Sequence, residues 1–140
     1  MAVHGAYRMN EAAFELPARA TDRTTHRLRV EGSSVRLSFS RTPLDGDTLD
    51  ARVAENQRSA AIHLTAHRVI ASRRLEIAGL AGHDVAATWR GEAGVVYTRQ
   101  AHLAAAGAWL TLAASAAEAE RAACDAAFER ALASLTLREA

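Results

Sequence analysis

The chain opens on alternation between apolar and polar positions. Phe14 and Leu16 sit two apart and stop at Pro17, which predicts a short strand ended by a residue that cannot donate to a ladder. Between Thr24 and Val30, Leu28 and Val30 face one way and Arg27 and Arg29 the other. Glu31-Gly32-Ser33-Ser34 supplies a turn, and Val35, Leu37 and Phe39 then alternate with Arg36, Ser38 and Ser40. This is the pattern of a hairpin with one apolar face. After the loop Thr42 to Asp47 the spacing changes. Leu49, Val53, Ala60, Ile62 and Leu64 recur at roughly helical intervals and predict a helix to about His67, with Asp47 as its N-cap and Asp50 in its first turn. Asn56 and Gln57 interrupt that stripe.

From Arg68 the period returns to two. Val69, Ala71, Arg73, Leu75 and Ile77 predict a strand ending near Gly79, His83 to Trp89 a second, Val95 to Ala104 a third and Trp109 to Ala114 a fourth. Gly91 to Gly94 and Ala106-Gly107 are the turns between the later ones. A final helix is predicted to open at Ser115 to Glu118, with Cys124, Phe128, Ala131, Leu132 and Leu135 as its seam. N-terminal strands, a helix, a four-stranded meander and a second helix together predict an antiparallel α+β fold. No internal repeat or low-complexity linker divides the chain.

Composition narrows the function more than the fold. The 140 residues, 15.0 kDa, are expected to form a single domain over 1–140. Thirty-four are alanine and seven aromatic, so a small set of larger side chains must fill the core. Seventeen basic residues against sixteen acidic leave a net charge of +1, without the basic excess that a nucleic-acid partner requires. All seventeen are arginine. The single cysteine, Cys124, excludes an intramolecular disulfide and a Cys-rich zinc site. Met1 to Ala13 lacks the apolar core of a signal peptide, and the longest uncharged run, Leu103 to Ala117, is shorter than the ~20 residues of a spanning helix. A cytoplasmic protein without direct membrane insertion is expected.

Candidate chemistry is sparse. His63 and His67, four apart on the first predicted helix, could share a face and hold two metal positions, but no third ligand is tied to them by spacing, and no metal is expected. His83, Asp84 and His102 could meet in space, with no nucleophile indicated beside them. Cys124 on an apolar seam reads as a small buried hydrophobe. The eight glycines form no phosphate loop. Neither an enzymatic activity nor a cofactor is expected. Gln57 and Gln100, the two glutamines of the chain, are either solvated or set within an apolar surface to hydrogen-bond a partner.

The order Tyr7-Arg8-Met9-Asn10-Glu11-Ala12-Ala13-Phe14-Glu15-Leu16-Pro17, then Asp22-Arg23-Thr24, Ser40-Arg41, Gly46-Asp47, Gln57 and Arg99-Gln100, resembles the DcrB-related family. Within it the chain is similar to Eag-type chaperones of bacterial type VI secretion effectors. The resemblance implies a Mog1/PsbP-like sheet-and-helix domain that forms a homodimer with neither catalytic residues nor cofactor. Its cleft would shelter the apolar, transmembrane N-terminal segments of an effector and help load it onto the secretion spike. Such segments would otherwise expose a long apolar surface to water. The resemblance places Gln57, Ala61, Gln100 and Ser40 in that cleft, the glutamines as hydrogen-bonding groups and Ala61 as the point of close helix approach. Thr25 and Arg27 depart from the family's pattern, where aliphatic residues are usual. Arg27 in an apolar cleft costs free energy unless it reaches the rim or meets a carboxylate. A non-catalytic accessory domain that docks onto a folded partner of a secretion or envelope system is the alternative.

Overall fold

The computed structural model describes residues 25–135 in full, and three short N-terminal strands as backbone. Those strands, β1 (Ala2–Val3), β2 (Ala6–Arg8) and β3 (Ala13–Glu15), pair antiparallel in the order β1-β2-β3. The strand expected around Phe14 is thus β3. Leu16, Pro17 and Asp22 to Thr24 lie outside the described residues.

The main body is a six-stranded antiparallel sheet of order β4-β5-β9-β8-β7-β6. Its strands are β4 (Thr25–Arg29), β5 (Arg36–Pro43), β6 (Arg68–Ile77), β7 (Leu80–Gly91), β8 (Gly94–Ala105) and β9 (Ala108–Ala117). Helix α1 (Leu49–His63) links β5 to β6, and α2 (Arg121–Ala133) follows β9 through a 3-10 turn at Glu118–Glu120. The expected α+β architecture, hairpin plus meander with two helices, is the one observed. Two hairpins of the meander turn on Ala78-Gly79 and Ala106-Gly107, both residues of each pair at positive φ. That is the two-residue turn whose twist suits antiparallel strands, and it explains why alanine is tolerated in the left-handed region there.

Helix α2 closes one face of the sheet. Cys124 and Phe128, both 0% exposed, pack on Ala101, Leu103, Leu110, Leu112 and Ala114, alternate residues of β8 and β9. Alanine on those strands lets the helix come close, and Phe128 supplies the volume. Beneath α2 lies a buried cation. Arg99 of β8 donates through Nη2 and Nε to Asp84 of β7 at 2.8 and 3.3 Å, and through Nη1 to Asp125 of α2 at 2.9 Å. Its guanidinium carbon lies 4.4 Å from the centroid of the Phe128 ring. Burial opposes the Arg99 charge, but its hydrogen bonds to Asp84 and Asp125 overcome it and raise its pKa. Tyr97 donates to the same Asp125 at 2.7 Å. Burial, and then the Asp125 hydrogen bond and charge, push the phenol up to about 12. Sheet and helix are therefore joined by an ion cluster as well as by apolar contact.

Three boundaries and one burial differ from expectation. Thr48, rather than Asp47, caps α1, its Oγ1 accepting from the Ala51 amide at 3.1 Å, while Asp47 pairs with Arg52 at 3.0 Å. The helix stops at His63 rather than near His67, because Ala66 turns at positive φ and Arg90 N–H bonds Thr65 O at 2.8 Å, drawing the chain to the end of β7. β9 runs on through Ala117, so α2 starts later than Ser115 to Glu118: an alanine-rich run carries no period to mark the change. Finally, Leu28 is 65% exposed although it lies on the apolar face of its hairpin, because β4 is the sheet edge.

Removing one partner of a buried ion pair leaves the other charge uncompensated. Asp84→Ala is expected to lower unfolding free energy by about 3–5 kcal/mol. Arg73→Ala, which removes an exposed partner of the same Asp84, should cost less than about 1 kcal/mol. Urea denaturation of both variants checks the contrast.

Candidate functional site

The face opposite α2 is only partly covered. Because strand residues alternate, the even-numbered positions of β5 and β8 and the odd-numbered ones of β4, β7 and β9 meet there in cross-strand rows. One row reads Arg29, Arg36, Ser115, Thr98; the next Arg27, Ser38, Ala113, Gln100; the third Thr25, Ser40, Thr111, His102. Helix α1 lies over the β8 end of this face, near His102 and Trp109. The first two rows, with Val96 and Trp89, line an open trough of about 520 Å³. Its floor is small and hydroxyl-bearing, Trp89 stands at one side, and arginines stand at the other.

Helix α1 is seated by polar groups more than by its apolar stripe. Val53 is its one buried residue, and Ile62 is 77% exposed, so the stripe from Leu49 to Leu64 is not a core seam. Asp50 accepts from His83 Nε2 at 2.7 Å and from Arg74 Nη2 at 2.8 Å, and the His83 hydrogen bond holds its carboxyl below the usual range. The guanidinium of Arg52 lies 5.9 Å over the Trp109 ring.

The inner end of the trough is a hydrogen-bonded chain whose direction one group fixes. Trp109 can only donate, and its Nε1–H points at His102 Nδ1, 3.1 Å away. That nitrogen is then the acceptor, and the ring proton sits on Nε2, 3.0 Å from Gln100 Oε1. Gln100 must therefore present its carbonyl inward, where Asn56 Nδ2 of α1 also donates at 3.1 Å. The amide nitrogen of Gln100 is left without a partner among the described residues, a donor at the trough wall. His102 is 0% exposed, and burial, with His83 as a nearby charge, drops its pKa to about 4. It is a neutral structural link.

Of the residues expected at a cleft, Gln100 lines the trough, and so does Arg27. Ser40 and Thr25 are cross-strand neighbours one row away, towards α1, and line no part of it. Gln57 is half-buried on α1 and Ala61 exposed beyond it; neither lines the trough. The link of Asn56, His102 and Trp109 behind Gln100 is what sequence reasoning missed. The interruption of the α1 stripe at Asn56 was its one visible signal.

The other candidates do not converge. His83 and His102 are cross-strand neighbours on the open face, but Asp84 points to the α2 side and is taken by Arg99. His63, the last residue of α1, bonds Ser59 O through Nδ1 at 2.9 Å, and His67 lies beyond the helix, so the pair shares no helical face. Among the described residues no group of three or more His, Cys, Asp or Glu side chains could hold a metal ion. Burial, then the Asp125 charge, pushes the Cys124 thiol up to about 11, unlike a nucleophile. No helix among the described residues is long and apolar enough to cross a membrane.

The model of the DcrB family matches residues 11–134, which include the whole sheet and both helices. The chain belongs to the DcrB family. Among solved structures this DcrB protein is similar to PA94 from Pseudomonas aeruginosa, a protein of unknown function, at 21% identity and a TM-score of 0.84 over 96% of this chain and 97% of that one. It is also similar to LpqN of Mycobacterium tuberculosis, involved in cell envelope biogenesis (14% identity, TM-score 0.60, 79% and 66% covered). A third is the cyanobacterial PsbP of Synechocystis (15% identity, TM-score 0.55, 95% and 92% covered). These likenesses establish the α+β, PsbP-like fold of the DcrB domain. No curated protein matches the chain.

The depressed His102 pKa has a stability consequence. The unfolded chain takes up this proton near 6.5 and the folded one near 4. Stability is therefore complete above about pH 6.5 and falls as the pH drops towards 4, by up to about 3 kcal/mol. Urea denaturation between pH 7 and pH 4 should show that loss, and His102→Gln should remove much of the slope.

Proposed function

We propose that this DcrB protein is a non-enzymatic, homodimeric chaperone or adaptor of the cytoplasm that shelters the N-terminal apolar segment of a type VI secretion effector and helps load it onto the secretion spike. The observation that carries the reading is the trough on the open face. A floor of Ser38, Ala113, Ser115 and Thr98 lets a helix backbone approach closely, and Gln100 offers a fixed donor at its side. Small residues with scattered hydrogen-bonding groups are the surface on which membrane helices pack. Family membership and the resemblance of the N-terminal motif to Eag-type chaperones support the same reading.

A second reading has its own observation. Arg27 and its neighbours stand in the trough lining, which suits a docking surface for a folded partner of a secretion or envelope system. In that case the chain is an accessory domain of the same fold and binds no apolar helix.

Co-expression with the N-terminal segment of an effector encoded beside this chain separates the two. The chaperone reading expects a soluble complex containing two copies of this chain per client. It also expects Gln100→Ala to lower client recovery about tenfold while light scattering still reports an intact dimer, and Gln57→Ala, outside the trough, to leave recovery unchanged. A Gln100→Ala variant that retains its client as well as wild type removes Gln100 from the site. A client segment that aggregates beside a soluble dimer removes the chaperone reading.

A further inference from the structure

We propose that the occupant of the trough is an α-helix that carries carboxylates along the edge facing β4, so that the site selects an acidic-edged helix over a wholly apolar one. The proposal rests on the trough being a client cleft and adds what the client must carry.

The sheet register places like charges together. Arg29 and Arg36 are directly opposite on β4 and β5, on the open face, where opposed side chains start about 5 Å apart. Arg27 follows two residues along the same face of β4. All three are exposed and line the trough, and none makes an ion pair or hydrogen bond among the described residues. No carboxylate lines the trough either. Elsewhere Arg52 pairs with Asp47, Arg74 with Asp50 and Arg99 with Asp84, while the Arg58, Arg68, Arg90 and Arg130 side chains stand apart on the surface without an opposed arginine. A directly opposed like-charge pair is destabilising in a sheet, so leaving one at the mouth of a recess asks for an anion from outside.

The shape identifies which anion carrier fits. From β4 to β8 the trough crosses four strands, roughly 14 Å between outer strands at sheet spacing, which admits one helix of about 10–12 Å diameter. Ala113 and Ser38 at mid-floor give that helix its closest approach. With its small-residue side down, one flank meets Gln100 and Trp89, and the other meets Arg27, Arg29 and Arg36. Glutamate at i and i+4 on that second flank spans one turn of helix, about 6 Å, which matches the spacing of Arg27 and Arg29 along the strand, about 7 Å.

Three labelled helical peptides of about twenty residues test this. They share an alanine- and leucine-rich sequence and carry Glu, Gln or Lys at the same i, i+4 pair, with affinity read by fluorescence anisotropy. The Glu peptide should bind wild-type protein roughly tenfold more tightly than the Gln peptide, an advantage that shrinks with added salt. Arg29→Gln with Arg36→Gln should abolish the advantage, and Arg29→Glu with Arg36→Glu should transfer it to the Lys peptide. All these side chains are exposed, so the fold is spared. Gln100→Ala should weaken the Glu and Gln peptides equally. Equal binding of the Glu and Gln peptides overturns the charge inference and leaves the client cleft standing. If no peptide binds, the cleft reading falls with it. Tight binding of tripolyphosphate or phosphatidylglycerol vesicles that needs Arg29 and Arg36, without preference among the peptides, overturns the proposal in favour of a phosphate ligand.

Discussion

Arg99 is the constraint on which the rest of the structure depends. A guanidinium with 8% exposure is tolerable only with its charge matched on the spot, and Asp84 and Asp125 do so from two different elements. One carboxylate belongs to the neighbouring strand and the other to α2. The charge therefore fixes which helix face meets the sheet, and where along the sheet it lies, more tightly than an alanine-rich interface could. Cys124 and Phe128 are buried on that same α2 face. With α2 held on one side, the other side of the sheet is released from core duty.

Arg99 and Gln100 show how little sequence separates the two roles. They are adjacent in β8, so their side chains leave opposite faces. One closes the core, and the other ends a polar chain at the trough. That chain, Trp109 to His102 to Gln100 to Asn56, also seats α1, whose apolar contribution is little more than Val53. A helix held by directional bonds sits in one place on the face it covers. The wall of the trough is positioned as firmly as its floor, and the free donor of Gln100 is aimed by groups that do not line the trough.

Periodicity made the meander, the hairpin and both helices legible, because one-sided burial leaves a period of two on strands and a seam on α2. It failed where burial and apolarity part company. Ile62 and Leu28 are apolar and exposed, since α1 rests on polar groups and β4 is an edge. The alanine run Ala113 to Ala117 fits strand and helix equally, and the end of β9 was unreadable for that reason. The site was legible in part. Gln100 and Arg27 were singled out and do line one trough, whereas Gln57, Ala61, Ser40 and Thr25 do not. The partnership of His102 with Trp109 escaped because it crosses from β8 to β9, and only the register shows it. Asn56 reaches Gln100 across 44 positions of sequence, beyond any local pattern.

The arginine flank and the small-residue floor are compatible demands rather than rival ones. An apolar helix alone would bury the floor but leave Arg29 and Arg36 facing each other in a narrowed, less polar space, which raises the cost of their repulsion. An acidic peptide without a small face would satisfy the charges but leave the floor wet. A helix that is small on one side and acidic along one edge meets both conditions, and neither condition depends on the other residue set. On the proposed function, the departure at Arg27 from an aliphatic strand then reads as a change in the client's edge.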